Sequence, residues 1–213
     1  MRKPPSNRRR SDSPPRRPAG RTEEPTAGVR IIGGRFRGRK LYYSGDPRTR
    51  PMKDRLRESL FNRLGPAVAG KHAIDLFAGT GALGLEALSR GAARATLIER
   101  HNPTAEGIRR NMATLEVQEI AEVVNGDVFY WGRHRPDLGP GPWLVFSSPP
   151  YDFYVERLGD MMELLGGLLK AAPAGSIFAV ESDDRFDFGV LPQPEQWDVR
   201  AMRPAVVGIY VVG

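Results

Sequence analysis

Residues 73–89 read AIDLFAGTGALGLEALS: an apolar run, a glycine-rich turn and a segment of helical character. The turn fits the pattern G-x-G-x-x-G, and Glu99 follows the next apolar run. Between a strand and a helix, such glycines let the backbone approach a ligand, and an acid in that position accepts hydrogen bonds from ribose hydroxyls. The pattern therefore indicates a dinucleotide or S-adenosylmethionine, which also contains adenosine. A tight turn without a ligand is the alternative.

Asp75 distinguishes between the two ligands. It lies in the predicted strand four residues before the first glycine. A carboxylate there would repel the pyrophosphate of a dinucleotide but would attract an ammonium or sulfonium group. A chain of 213 residues also leaves no room for the separate substrate domain of a dehydrogenase. The predicted cofactor is therefore S-adenosylmethionine.

Strand and helix patterns alternate outward from this unit. The predicted strands are 73–77, 95–98, 122–124, 143–146 and 176–180, and the predicted helices are 82–89, 104–115 and 154–169. Residues 197–202 and 206–212 read as a closing antiparallel pair. This order predicts an α/β fold: a Rossmann-like, mostly parallel sheet of seven strands with helices on both faces.

The composition excludes several classes of protein. Because there is no cysteine, disulfides, thiolate metal sites and thiol nucleophiles are excluded. The three histidines, His72, His101 and His134, lack the spacing of metal ligands, so we expect no metal. No apolar run resembles a membrane span or the core of a signal peptide. We expect a soluble, cytoplasmic protein.

The charge is divided unevenly along the chain. Residues 1–60 hold 18 Lys and Arg against 6 Asp and Glu, a net charge of +12, whereas the remainder has a net charge of −5. This asymmetry indicates a polyanionic partner, the alternative being a solvated basic tail. We predict a disordered Pro/Arg-rich tail over residues 1–28, a basic hairpin and helix over 29–66, with the helix at 51–64, and a Rossmann-like domain over 67–213.

A second motif, SSPPY at residues 147–151, follows the predicted fourth strand, at the sheet edge where ligands of this fold class bind. Pro149 and Pro150 offer carbonyls and no N–H groups, so this backbone suits an incoming amine. Tyr151 offers a face on which a base can stack. The alternative interpretation is a loop that the prolines merely stiffen.

This motif resembles the (Asp/Asn)-Pro-Pro-(Tyr/Phe) loop of methyltransferases that act on exocyclic or amide nitrogens. The resemblance implies that the first residue and a proline carbonyl accept the amine hydrogens, so that catalysis is mainly orientation and electrostatics. Here the first position is Ser148, whose hydroxyl carries no charge. Three interpretations follow: reduced activity, a neighbouring group that takes its place, or binding without transfer.

A wider resemblance covers residues 29–185. Residues 75–81 resemble the first motif of class I methyltransferases, and residues 29–185 resemble the RsmD-type methyltransferases, which modify guanine N2 in bacterial small-subunit rRNA. The segments that carry this resemblance are RIIGG at 30–34, RGRKL at 37–41, TRP at 49–51 with Arg55, Arg57, Glu58 and LFN at 60–62, DLFAGTGALGLEALS at 75–89, ATLIE at 95–99 and VES at 180–182.

The resemblance implies roles for three groups of residues. The catalytic loop comprises Ser148, Pro149, Pro150 and Tyr151. The cofactor-binding residues are Asp75, Phe77, Ala78, Gly79, Thr80, Gly81, Glu99, Arg100, Asp127 and Val128. Within that set, the methionine moiety is lined by Asp75, Gly79 and Gly81, the ribose is held by Glu99, and the adenine amino group is contacted by Asp127. The RNA-binding residues are Arg35, Arg37, Arg39, Lys40, Arg50, Lys53, Arg55 and Arg57.

Other readings of these residues stay open. Asp127 also suits the N-cap of a turn after the third strand. The basic residues also suit a solvated face with local ion pairs, such as Arg55 or Arg57 with Glu58.

The implied activity is transfer of a methyl group from S-adenosylmethionine to the exocyclic N2 of a guanine in 16S rRNA. The implied partner is 16S rRNA or the assembling small ribosomal subunit. We expect the protein to act as a monomer. One alternative is a non-catalytic RNA-binding or ribosome-assembly protein with a degenerate motif at Ser148. Another is an N-methyltransferase for a different nitrogen, on DNA adenine or protein glutamine.

Overall fold

The structure is a computed structural model that describes residues 28–46, 49, 51–134 and 137–213. The tail predicted over residues 1–28 lies outside this part of the chain, except for Gly28. Arg50, one of the predicted RNA contacts, also lies outside the described residues.

The described residues form one seven-stranded sheet. Its strands are β1 His72–Asp75, β2 Arg94–Glu99, β3 Ala121–Asn125, β4 Trp143–Ser147, β5 Ile177–Ser182, β6 Asp198–Met202 and β7 Ala205–Val211. Their order is β3-β2-β1-β4-β5-β7-β6, with β1 to β5 parallel and β7 antiparallel to both of its neighbours. The predicted mostly parallel α/β fold with an antiparallel C-terminal pair is confirmed.

Helices cover both faces of this sheet. In the described residues they are α1 Asp54–Leu64, α2 Ala82–Ser89, α3 Asn102–Leu115, α4 Val128–Arg133, α5 Phe153–Glu156 and α6 Leu158–Ala171. No helix among the described residues is long and apolar enough to span a membrane.

Alternate residues of the central strands point into two hydrophobic clusters. On β1, Ala73 belongs to the cluster that contains α1, α2 and α3, whereas Ile74 belongs to the cluster that contains α4 and α6. Because side chains alternate along a strand, the two clusters lie on opposite faces of the sheet. Every residue of β1, β4 and β5 is buried, which explains their continuous apolar runs.

The basic N-terminal segment packs into the first of these clusters. Its apolar residues Ile31 and Leu41 are each 1% exposed and share the cluster with Phe61 of α1, whose ring lies 5.6 Å from that of Phe146 on β4. The predicted hairpin consists of one antiparallel bridge, between Arg30 and Lys40, around a 3₁₀ turn. Residues 29–66 and the sheet therefore share one core.

The helices depart from the prediction mainly at α1, at α4 and at the pair α5 and α6. The predicted helix 51–64 begins at Asp54, because Lys53 has a non-helical ψ of 141° and is the N-cap. The Met52 carbonyl accepts a 3.2 Å hydrogen bond from the Arg57 guanidinium. The predicted helix 154–169 is two helices, divided at Arg157, which has a non-helical φ of −129°. Helix α4 was not predicted; it is short and begins after a capping aspartate.

Candidate functional site

A cavity of about 1480 Å³ opens at the edge of the sheet where the parallel strands end. It is lined by the loops after β1, β2, β3 and β4, by the end of β5 and by the segment before α1. A pocket for one drug-sized ligand occupies roughly 300–1,000 Å³. The cavity therefore has room for a nucleoside-sized cofactor together with a base.

The glycine loop between β1 and α2 forms one wall of the cavity. Gly79 and Gly81 have φ values of +53° and +77°, in the left-handed region that favours glycine. A Cβ on Gly81 would also lie 3.0 Å from Ile108 and 3.1 Å from Leu97. The Gly79 N–H donates a 3.0 Å hydrogen bond to Glu99, so the loop is tied to the end of β2.

Asp75 lies behind this wall and does not line the cavity. Its side chain is fully buried, and its Oδ2 accepts a 3.2 Å hydrogen bond from the Gly84 N–H. The other oxygen, Oδ1, has no hydrogen-bond partner in the described residues. Burial raises the pKa of this carboxyl to about 7. Asp75 thus holds the first turn of α2, whereas it was expected to line the methionine moiety.

The predicted cofactor residues divide into two groups. Those that line the cavity are Phe77, Gly79, Glu99, Arg100, Asp127 and Val128. Those that lie on the inner side of the loop, away from the cavity, are Asp75, Ala78, Thr80 and Gly81.

Two of the lining carboxylates are held by backbone N–H groups. Glu99 accepts from Gly79 and, at 2.7 Å, from His101. The Oδ1 of Asp127 accepts from Phe129 and Tyr130, at 2.9 and 3.0 Å, and so caps α4. Asp127 thus adopts the N-cap geometry of the alternative reading while it also faces the cavity.

Three phenylalanine rings meet at one side of the cavity. Phe77, Phe129 and Phe153 line it, with ring centroids 6.0 to 6.2 Å apart. The guanidinium of Arg157 lies over Phe129, 4.0 Å from its centroid. Sequence reasoning named Phe77 alone, because the other two come together only when the loops after β3 and β4 meet.

The Ser-Pro-Pro-Tyr loop forms the opposite wall, where it meets the end of β5. Register pairs Ser147 with Val180, so that Ser148 and Glu181 are neighbours at the strand ends. The Ser148 hydroxyl donates to Oε2 of Glu181, and the Tyr151 hydroxyl donates to Oε1 at 2.7 Å. Burial is the largest cause that raises the pKa of Tyr151 above its usual range, and the hydrogen bond to Glu181 raises it further.

The predicted RNA contacts fall in two places. Lys53 and Arg55 are exposed and line the cavity. A second group is exposed on the N-terminal loop, whose Phe36 N–H bonds the Ser89 hydroxyl in the last turn of α2. None of the four basic residues of this group lines the cavity. Its members are Arg35, Arg37, Arg39 and Lys40.

Arg57 was wrongly predicted to contact RNA. Its side chain is fully buried, and its Nη2 donates to the Arg30 carbonyl at 2.5 Å and to Asp54 at 3.0 Å. Burial lowers its pKa, and Asp54 and Glu86 oppose that effect. The buried residues of α1 are Arg57, Leu60, Phe61 and Leu64, so Arg57 lies on the buried face of this helix.

Comparison with known proteins identifies the family. Residues 29–204 match the family described as "Conserved hypothetical protein 95". The "Ribosomal RNA small subunit methyltransferase D" of Escherichia coli is 46% identical over 178 residues, which cover 83% of this chain and 85% of that protein. This chain belongs to the RsmD-type methyltransferase family. The resemblance inferred from the sequence is confirmed.

Other members and a solved structure agree with this assignment. The RsmD-type protein of Haemophilus influenzae is 35% identical over 170 residues, which cover 79% of this chain and 84% of that protein. A solved methyltransferase structure from Escherichia coli matches with a TM-score of 0.68 at 35% identity, covering 86% of this chain and 97% of that one.

Glu181 is the main site residue that sequence reasoning missed in this RsmD-type chain. It lies in the VES segment at 180–182, which carries part of the family resemblance but by itself indicates no role for this carboxylate. The available signal was a carboxylate at the end of a predicted parallel strand, since such strands deliver their last residues to the ligand edge. What the sequence did not reveal is that β5 lies directly beside β4.

Proposed function

We propose that this chain transfers a methyl group from S-adenosylmethionine to the exocyclic N2 of a guanine in small-subunit rRNA. One observation carries the proposal: a single cavity is lined both by the glycine loop and by the Ser-Pro-Pro-Tyr loop. A methyl donor and an amine must meet in one site, because orientation of the two reactants is the main contribution such a site can make. Membership of the RsmD-type family supports the same activity.

The residues of the glycine-loop side fit the cofactor. A nucleoside with a cationic methionine tail needs an acceptor for its ribose, an apolar surface for its base and negative charge near its tail. Glu99 and the rings of Phe77 and Phe129 meet the first two needs. The lining carboxylates Asp127 and Glu181 contribute negative charge to the same cavity. When bound, S-adenosylmethionine supplies a methyl group on a positively charged sulfur.

The Ser-Pro-Pro-Tyr side fits an amine on a base. The carbonyls around Pro149 and Pro150 have no competing N–H groups, and the residue before each proline is held extended. Acceptors in this position draw the amine hydrogens to one side and direct the nitrogen lone pair away from them. The Tyr151 ring supplies a face for a base that has left its stack.

The rim of the cavity fits an RNA backbone. Besides Lys53 and Arg55, the basic residues Arg100, Arg185 and Arg203 line the cavity. Phosphate contacts hold and align a nucleic acid, while the site itself selects the base. We propose that the monomer acts on 16S rRNA within the assembling small subunit; the cytoplasmic location expected from the sequence follows from that substrate.

The proposal is tested with labelled S-adenosylmethionine and small subunits from cells that lack this activity. We expect label in 16S rRNA, and N2-methylguanosine as the labelled nucleoside after digestion. Fully modified subunits serve as the control and should take up no label. A protein that binds the cofactor but labels neither subunits nor naked rRNA would overturn the proposal. The alternative of a non-catalytic assembly protein is not favoured, since relatives at 46% identity are named methyltransferases.

A further inference from the structure

The carboxylate of Glu181 is fixed at the wall of the cavity by two hydroxyl groups. Ser148 donates to one of its oxygens and Tyr151 to the other. The residue is only 7% exposed, yet it lines the cavity. Its backbone pairs with Val207 of β7, and the preceding residue, Val180, pairs with Ser147 of β4. Both the position and the orientation of this carboxylate are therefore set before any ligand arrives.

The other carboxylates of the cavity wall have partners that restrict them. They are Glu99, Asp127, Asp152 and Asp183. The first two accept backbone N–H groups, and the last two pair with Arg185 at 2.9 and 2.8 Å. Among the described residues, Glu181 has hydroxyl partners and no ion pair. An ionised carboxylate has about four acceptor positions, so about two remain for a ligand.

Guanine is the base whose edge matches such a carboxylate. Its N1–H and N2–H groups are adjacent donors that point in the same direction. Adenine and cytosine each present one donor beside a ring acceptor, and uracil presents one donor between two carbonyls. A carboxylate with two open acceptor positions therefore pairs with guanine twice and meets an acceptor on every other base.

We propose that Glu181 recognises the target guanine by accepting hydrogen bonds from its N1–H and N2–H groups. This inference rests on the proposed function and specifies how its site selects the base. Glu181 supplies the charged acceptor that Ser148 does not. Ser148 and Tyr151 act as positioning residues, since their hydroxyls fix the carboxylate. The departure at Ser148 thereby has a physical explanation: the acceptor is on the neighbouring strand.

A binding experiment tests base recognition without catalysis. Ligand-observed NMR with guanosine, inosine and adenosine monophosphates is performed on the full chain with S-adenosylhomocysteine present. Inosine keeps N1–H but lacks the 2-amino group, so the wild type should bind guanosine monophosphate at least tenfold more tightly than the other two. Glu181→Gln should lose this preference, whereas Glu163→Gln, a change of an exposed glutamate on α6, should keep it. A wild type without the preference, or a Glu181→Gln protein that retains it, overturns the proposal.

A kinetic experiment separates this inference from the proposed function. With unmodified small subunits, Glu181→Gln should lower kcat/KM at least 100-fold, the size of effect seen when one preorganised polar group of a transition-state site is removed. Glu181→Asp keeps the charge and should recover part of that loss. Unchanged S-adenosylhomocysteine affinity reports an intact fold. If the wild type methylates guanine N2 and Glu181→Gln is equally active, the inference fails and the proposed function stands. If the wild type itself transfers no methyl group, the proposed function fails.

Discussion

The guanidinium of Arg57 and the carboxylate of Glu86 face each other inside the protein, with Nε 3.9 Å from Oε2 and both side chains fully buried. Glu86 also accepts the N–H groups of Ile32 and Gly33, at 2.7 and 2.8 Å. Through these contacts the N-terminal segment, α1 and α2 form one polar junction behind the glycine loop. The basic segment is thus attached to α2, the helix that follows the glycine loop.

Arg57→Met should therefore destabilise the fold. The substitution leaves the Arg30 and Met52 carbonyls without their donor and removes a partner of a buried carboxylate. We expect the free energy of unfolding in urea to fall by about 3 kcal/mol. Arg55→Met, on the exposed side of the same helix, should change it by less than about 0.5 kcal/mol. Equal stability of the two variants would contradict the structural role of Arg57.

Asp75 should give the protein a distinct dependence of stability on pH. Burial raises the pKa of this carboxyl from its ordinary 3.8 to about 7 in the folded state. Between those values the folded protein holds a proton that the unfolded chain has released. The free energy of unfolding should consequently fall as the pH rises from about 4 to about 7, by at most about 1.4 kcal/mol per pH unit.

Asp75→Asn removes the titrating group and keeps its shape. Urea unfolding of both proteins at pH 5, 6, 7 and 8 isolates this one contribution, because all other groups are common to the two. We expect the variant to gain stability relative to the wild type as the pH rises. A difference between the two proteins that stays constant over this range would show that Asp75 does not titrate there.

Asp127 combines a capping role with a place on the cavity wall, and two substitutions distinguish them. Asp127→Asn keeps an oxygen that can accept from the N–H groups of α4, so the fold should be nearly as stable as the wild type. Asp127→Ala removes the cap and should cost about 1 kcal/mol. If the carboxylate also accepts the adenine amino group, both variants should bind S-adenosylhomocysteine about tenfold more weakly by calorimetry. Wild-type affinity in Asp127→Asn would leave Asp127 as a cap alone.

The sequence predicted the succession of strands and helices along the chain, because each central strand is a continuous apolar run next to a turn or helix signal. Burial on both faces forces that pattern, and it is visible without any tertiary information. Helix α4 gave no such signal, since six residues are too few to show a helical period. At the break between α5 and α6, the guanidinium of Arg157 lies over the ring of Phe129 on α4, a contact between elements that are distant in the sequence.

The candidate site was predictable where its chemistry lies in one segment. The glycine loop and the Pro-Pro-Tyr loop are contiguous, and each is recognisable from its local backbone requirements. Arg57 and Glu181 were misjudged for one common reason. The role of a charged side chain depends on which element packs beside it, and neither α2 beside α1 nor β5 beside β4 can be read from local spacing.

The two basic groups should contribute differently to RNA binding. Lys53 and Arg55 lie at the cavity, so Lys53→Gln with Arg55→Gln should weaken rRNA binding and also slow methyl transfer at saturating RNA, because the target base is less well aligned. Arg35→Gln with Arg37→Gln, at two residues that do not line the cavity, should weaken binding alone. Each lost phosphate contact should reduce the magnitude of the slope of log binding constant against log salt concentration by about 0.7–0.9. Filter binding at several salt concentrations and single-turnover rates distinguish the two pairs; equal effects on the rate would contradict this division.

Ser148 should be replaceable only by a residue that still fixes Glu181. The amide of Ser148→Asn can donate to Glu181 through its nitrogen and offer its oxygen to the incoming amine, so turnover should match or exceed the wild type severalfold. Ser148→Ala loses the donor, which frees one carboxylate oxygen to rotate away, and turnover should fall about tenfold. Affinity for S-adenosylhomocysteine should be the same in both, since the glycine-loop side is unchanged. If alanine is as active as serine at position 148, the hydroxyl does not position the carboxylate, and recognition of guanine must rely on Tyr151 and the strand backbone to hold Glu181 in place.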